Sequence, residues 1–186
     1  VIEIILNDPA WAGVLAYNEF SLRIEKRKPL PAGSAELGIW GDSDDVATVL
    51  WLTQHYGITP KPADVAQAVE YVAKQHPWHP VREWLRALRW DGVKRLSGWL
   101  ARCYSVDKTR YTARVGTWFV MGMVARVMRP GVKFDYCLIL EGTQGRGKST
   151  SLAVLGGQWY SDQELDLRNK DAMASLPGVW LQEFSE

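Results

Sequence analysis

The chain has 186 residues, enough for one large domain or two small ones, and its apolar fraction of 47% is ordinary for a folded protein. No apolar run approaches the length of a membrane span, and Val1–Leu6 is too short, and lacks the basic leader, for a signal peptide. Cys103 and Cys137 have no C-x-x-C partner, and three poorly spaced histidines argue against a zinc module. We therefore expect reduced cysteines in a cytosolic protein.

The charge of the chain is distributed unevenly, although the formal net charge is only +1. Residues 1–81 hold 6 basic and 10 acidic side chains, residues 82–133 hold 12 and 3, and residues 134–186 hold 4 and 8. These boundaries divide the chain into an acidic accessory region, a basic helical segment and a third region of net negative charge. The basic segment indicates a polyanionic partner such as DNA. The alternative is a set of solvated helix faces whose charges pair with the acidic flanks.

The N-terminal region is predicted to begin with strands and continue with helices. Val14–Tyr17 and Ser21–Ile24 have the composition of a strand pair. A helix is predicted at the stretch Asp42-Ser43-Asp44, which supplies N-cap chemistry, and its end is predicted near Gly57. Pro62 favours the first turn of a second helix, which the apolar spacing extends to Lys74.

The basic segment is predicted to be mostly helical. Its apolar spacing and turn residues indicate one helix over Val81–Leu88, a second over Val93–Tyr104 and a third that Asp107 caps and that ends at Met128. The N-terminal and central regions together are therefore predicted to be mainly α.

A glycine-rich sequence in the third region fits the pattern G-x-x-x-x-G-K-[ST]. The apolar run Cys137–Leu140 before it predicts a buried strand, and Lys148 begins a predicted helix, which gives the strand–loop–helix order of a phosphate-binding P-loop. In such a loop the backbone N–H groups surround phosphate oxygens, Lys148 reaches the β- and γ-phosphates, and Ser149 binds Mg²⁺. The alternative is a glycine-rich surface loop beside a basic helix. The predicted nucleotide-binding residues are Gly142, Thr143, Gln144, Gly145, Arg146, Gly147, Lys148, Ser149 and Thr150.

A second apolar strand is predicted over Val179–Glu183 and ends in a carboxylate, as a Walker B strand does. Such a carboxylate holds Mg²⁺ or orients the attacking water. We favour Glu183 over Glu186 because Glu183 ends the apolar run, whereas Glu186 follows three residues later. Lys148 and Glu183 are thus the predicted catalytic residues, Ser149 and Glu183 the predicted metal ligands, and ATP and Mg²⁺ the predicted cofactors.

Several sequence blocks resemble the virulence-associated E family of phages and mobile elements, and they cover nearly the whole chain. The similar blocks are Tyr17–Phe20, Trp40–Asp45, His79–Arg82, Leu88–Val93, Arg126 with Pro130–Asp135, and Leu140–Ser149. Members of this family resemble superfamily-three, AAA+-like replicative helicases. The resemblance implies a fold in which the mainly α regions precede the first half of an α/β P-loop NTPase domain.

The resemblance also implies a function. Family members are thought to act as ring-shaped, ATP-driven motors on DNA, often joined to a primase. We accordingly expect a replication helicase in the cytoplasm of a bacterial or phage-infected cell, with single-stranded DNA on residues 82–133. Such helicases commonly have two adjacent acids at Walker B, whereas Gln182 precedes Glu183 here. Because the chain starts at Val1 without a Met, we expect it to be trimmed. A complete motor needs further strands, a sensor residue and an arginine finger, so we expect the chain to be truncated after Walker B, with those residues outside it.

Two other functions remain open at the level of the sequence. One is a truncated, non-catalytic protein that binds DNA or a replication or packaging partner and interferes with phage replication or packaging. The other is a small nucleotide or metabolite kinase. The long basic segment before the P-loop argues against the kinase, because most small kinases have the P-loop near the N-terminus.

Overall fold

A computed structural model describes residues 1–33, 35–166, 168 and 170–185, without the side chains at positions 170 and 171. About half of the chain is helical, and a small mixed sheet accompanies the helices. The chain divides into two compact units, Val1–Pro80 and Val81–Glu186. The basic segment and the P-loop motif both belong to the second unit.

The first unit combines a four-stranded sheet with three helices. Its elements are α1 (Ile2–Asn7), β1 (Leu15–Asn18), β2 (Arg23–Lys26), β3 (Gly38–Ile39), α2 (Asp42–Tyr56), α3 (Pro62–Lys74) and β4 (Pro77–Trp78). The strand order is β3-β2-β1-β4, with β1 antiparallel to β2 and parallel to β4. The predicted strand pair and both predicted helices of this region are confirmed.

The core of the first unit lies under the apolar face of α3. Val65 and Val69, one helical turn apart, are completely buried, and Leu52 of α2 packs in the same cluster. A buried ion pair joins the sheet to α2, because Lys26 Nζ contacts Asp44 Oδ2 at 2.8 Å. Both charges are desolvated, so each requires the other.

The second unit is built around a long central helix. Its elements are α4 (Pro80–Ala87), α5 (Trp99–Tyr104), α6 (Arg110–Met128), α7 (Lys148–Gly156), β5 (Tyr160–Ser161) and β6 (Leu181–Gln182), with 3-10 turns at Leu96–Gly98, Gly157–Trp159 and Lys170–Ser175. The indole Nε1 of Trp99 donates to the carbonyl oxygen of Gly116 at 2.9 Å, which fastens α5 to α6.

Three tryptophans hold the short strands of the second unit in place. Trp84 of α4, Trp159 and Trp180 form an edge-to-face cluster with ring centroids 5.8–6.1 Å apart. Trp180 Nε1 also donates to the carbonyl oxygen of Met123 on α6 at 3.1 Å. The β5–β6 pair, which is parallel, is therefore anchored to both α4 and α6.

Four of the predicted elements differ from the structure, one of them in length alone, because the strand predicted over Val179–Glu183 covers only Leu181–Gln182. The strand predicted over Cys137–Leu140 is wrong: no described strand pairs with this segment, and Ile139 is 76% exposed. The helix predicted from Val93 begins only at Trp99, after a 3-10 turn that ends at Gly98. The cap predicted at Asp107 is instead Thr109, whose Oγ1 accepts a hydrogen bond from the Thr112 N–H at 3.1 Å. The α/β NTPase fold stays a prediction.

Candidate phosphate-binding site

The glycine-rich loop Gly142–Thr150, called the phosphate loop below after its predicted role, follows an irregular segment at residues 137–141 and includes the first residues of α7. Gly145 and Gly147 have φ angles of 79° and 74°, in the left-handed region that side chains with a Cβ rarely adopt. Space around these glycines is open, so the backbone conformation, and not crowding, requires them. The loop therefore turns sharply into the helix.

The first turn of α7 presents its backbone donors without a capping side chain. Gly147 occupies the N-cap position, and because it has no side chain it cannot bond the free N–H groups of the first turn. The N–H groups of the first helical residues, Lys148, Ser149 and Thr150, have no carbonyl of the preceding turn to bond. Together with the helix dipole, they favour an anion at this position.

Lys148 is folded back over the phosphate loop. Its Nζ donates to the carbonyl oxygens of Gly142 at 2.8 Å and Thr143 at 3.1 Å. The ammonium group is thus held at the centre of the loop, and an anion that enters there meets a positive charge directly. Arg146 is held against the loop as well, because its Nε donates to Thr143 Oγ1 at 3.2 Å.

The structure brings Ser149 and Glu183 together, although 34 positions separate them in sequence. Ser149 Oγ donates to Glu183 Oε1 at 2.7 Å. Glu183 directly follows β6, and its N–H donates to the carbonyl oxygen of Ser161 at 2.8 Å, which fixes its position. Glu186, the other candidate acid, lies outside the described residues.

Tyr160 is a third member of this cluster, although it belongs to no sequence motif. Its hydroxyl donates to Glu183 Oε2, so both carboxylate oxygens of Glu183 accept hydrogen bonds. Burial, followed by the hydrogen bond to Glu183, raises the pKa of Tyr160. The phenol therefore stays protonated and remains a donor. Only the parallel pairing of β5 with β6 brings Tyr160 here, and no local sequence signal indicates it.

A pair of hydroxyl groups, those of Tyr104 and Ser151, connects α5 to α7. Ser151 Oγ donates its single proton to the carbonyl oxygen of Lys148 at 2.7 Å. The Tyr104 hydroxyl, 2.6 Å from Ser151 Oγ, must therefore be the donor in that contact. This pair ties the end of α5 to the first turns of α7.

The predicted ligands suit a hard cation that is bound mainly by phosphate and water. Ser149 and Glu183 each offer oxygen, the ligand type that Mg²⁺ prefers. No group of three or more His, Cys, Asp or Glu residues that could hold a metal ion by itself is found in the described part of the chain. Of the other predicted loop residues, Gln144 and Thr150 are exposed.

The basic segment exposes nearly all of its positive charge. Of the twelve Lys and Arg residues between positions 82 and 133, eleven are exposed, including Arg110, and Arg82 is half-buried. Arg95 forms an ion pair with Asp91 at 2.6 Å, whereas Arg110 and Arg114 lie one turn apart on α6. None of the described helices is long and apolar enough to cross a membrane.

Comparison with known proteins identifies the second unit. No curated protein matches the chain. The family described as the virulence-associated protein E-like domain matches residues 85–186, which is more than half of the chain and includes the phosphate loop and Glu183. Such a match indicates a protein of phages or mobile genetic elements. The chain therefore belongs to the virulence-associated protein E-like family.

Proposed function

We propose that this chain is the nucleoside triphosphate-binding part of a mobile-element or phage DNA replication helicase. The observation that carries the proposal is the hydrogen bond of 2.7 Å between Glu183 Oε1 and the Oγ of Ser149, the residue that follows Lys148 in the glycine-rich loop. A glycine-rich turn, a lysine, a hydroxyl and a carboxylate are the groups that hold a triphosphate and its Mg²⁺.

Each side chain has a definite role in this proposal. Lys148 exchanges its carbonyl partners for phosphate oxygens and neutralises their charge. The N–H groups at the start of α7 bind the same phosphates. Ser149 and Glu183 would hold Mg²⁺, which neutralises phosphate charge when it is bound. Glu183 would also orient a water molecule toward the terminal phosphate, and the hydrogen bond from Tyr160 would fix the direction of its carboxylate.

The exposed basic segment is the observation that supports the DNA partner. Its arginines and lysines would contact the phosphates of single-stranded DNA, and in the whole protein hydrolysis would drive unwinding by a ring of subunits. A non-catalytic protein that binds DNA or a replication or packaging partner is the second candidate, supported by the same exposed charge. Measurement of ATP hydrolysis, with and without single-stranded DNA, on this chain and on the full-length protein separates the two.

Replacement of the lysine tests the phosphate site directly. Lys148→Ala removes a charge-assisted contact worth about 1.5–3 kcal/mol, so ATP affinity should fall roughly tenfold or more. Binding of labelled ATP with Mg²⁺ is the measurement, and circular dichroism checks the fold. Lys94→Ala, which removes an exposed lysine of the same unit, is the control and should bind ATP like the parent chain. Unchanged affinity in a folded Lys148→Ala variant would contradict the proposal.

A further inference from the structure

A cavity of about 560 Å³ opens beside the phosphate loop, within the second unit. One side is formed by loop residues that include Thr143 and Lys148. The rest of the lining comes from the end of α5, the connection to α6, the first turns of α6 and the segment before the phosphate loop. The volume is within the range of small-molecule sites, about 300–1,000 Å³. A triphosphate on the loop occupies only one end of such a space.

The wall contributed by α5, α6 and their connection has the chemistry of a site for a flat, weakly polar group. Tyr104, Val106, Tyr111 and Val115 line it. Tyr111 is 75% exposed, so its ring is available to a ligand and is not committed to the core. Aromatic side chains stack on planar ring systems, and nucleobases are such systems.

The position of this wall depends on one unusual backbone conformation and on two hydrogen-bonded contacts. Ser105 ends α5 with a φ angle of 55°, a left-handed conformation that is costly for a residue with a side chain. Thr112 Oγ1 donates to the carbonyl oxygen of Asp107 at 2.7 Å, which closes the connection to α6. The hydroxyl pair of Tyr104 and Ser151 links the wall to the phosphate-loop helix. Contacts within the protein therefore define the shape of this wall.

We propose that this cavity receives the nucleobase and sugar of the bound triphosphate, with the base against Tyr111 and Val106. The inference rests on the proposed function, because it assumes that the phosphates occupy the loop. It assigns recognition of the base to the α5–α6 connection, which lies outside the sequence motif. The Tyr104 contact would then transmit occupancy of the base site to the loop.

A comparison of ATP with inorganic tripolyphosphate separates the two sites, because tripolyphosphate has no base. Tyr111→Ala should weaken ATP binding roughly fivefold or more, since the variant loses the aromatic ring on which the base stacks. The same variant should bind tripolyphosphate as the parent chain does. Tyr136→Ala removes a tyrosine of similar exposure, 73%, that does not line the cavity, and it should leave both ligands unaffected.

The results with the two variants distinguish an error in the phosphate site from an error in the base site. If Lys148→Ala leaves both ligands bound as before, the phosphate site itself is wrong. If Lys148→Ala weakens both ligands but Tyr111→Ala changes neither, or changes both equally, the phosphate site stands and the base site is wrong. Thermal unfolding of Tyr111→Ala identifies any general loss of structure, which the exposure of Tyr111 makes unexpected.

The two cysteines provide a second measurement on the unmutated protein. Both are exposed, but only Cys103 lines the cavity. ATP should slow alkylation of Cys103 by iodoacetamide several-fold, and tripolyphosphate should not, whereas Cys137 should react at the same rate throughout. Mass spectrometry of the labelled peptides gives both rates in one sample. Equal protection of Cys103 by the two ligands, or none by ATP, would overturn the proposed base site.

Discussion

At the scale of single residues, Glu183 has the most constrained environment in the candidate site. Its two carboxylate oxygens accept from Ser149 and from Tyr160, and its backbone N–H is bound to Ser161. A carboxylate held from both sides keeps one direction. Two features of Glu183 would contribute to ATP hydrolysis, namely its charge and the orientation that Tyr160 imposes. A separate substitution can remove each of them.

Glu183→Gln keeps the shape of the side chain and removes its charge. In the full-length protein we expect ATP to remain bound while hydrolysis falls by roughly a hundredfold or more, as loss of a catalytic base does. Tyr160→Phe keeps the ring and the charge of Glu183 but removes the hydroxyl donor, so hydrolysis should fall by a smaller factor. Single-turnover hydrolysis beside equilibrium ATP binding measures both. Full hydrolysis by Glu183→Gln would show that another group performs this role.

At the scale of secondary-structure elements, the packing of α5 against α6 positions the wall of the cavity. Gly116 of α6 is buried, and a Cβ at this position would lie 2.7 Å from Trp99 Nε1 and 3.0 Å from Leu100 Cγ. Both neighbours belong to α5. The absence of a side chain at Gly116 thus lets the two helices approach closely enough for the Trp99 hydrogen bond.

Gly116→Ala should therefore destabilise the second unit. Overpacking costs roughly 1–3 kcal/mol, and the better helix propensity of alanine offsets up to about 1 kcal/mol of it. Chemical denaturation measures the change in the free energy of unfolding. Gly98→Ala is the control, because a Cβ at that position would meet no atom within 4 Å and its φ angle of −124° is ordinary. Equal stability of the two variants would contradict the close packing assigned to Gly116.

The predictable elements are those whose determinants are local in sequence. Pro62 and the apolar spacing after it are sufficient to predict α3, because a helix bonds within its own segment. The strand over Cys137–Leu140 could not be decided in this way, since strand formation depends on a distant pairing partner. For the same reason the motif predicts Lys148 and Ser149, whereas Tyr160 emerges only when β5 and β6 are paired.

At the scale of the whole molecule, the small net charge results from positive and negative side chains that are concentrated in different segments of the chain. The formal charge of +1 for the chain includes +9 in residues 82–133 alone. Most of these basic groups are exposed, so their charge acts on the surroundings of the second unit. Solvated faces and a DNA surface predict different responses to salt, because binding to DNA phosphates releases counterions.

Arg110 and Arg114 offer the sharpest test of that surface, since residues four positions apart share one face of a helix. Replacing both with alanine should weaken single-stranded DNA binding at low salt. It should also flatten the slope of log affinity against log salt by roughly one unit for each lost phosphate contact, about two in total. Replacing both with lysine keeps the charge and should keep most of the slope.

Because Tyr111 and Thr112 lie between these arginines, ATP binding is measured in parallel and should not change. A double alanine variant with the parental slope, or a parent and full-length protein that both fail to bind DNA at low salt, would leave the basic segment as solvated helix faces.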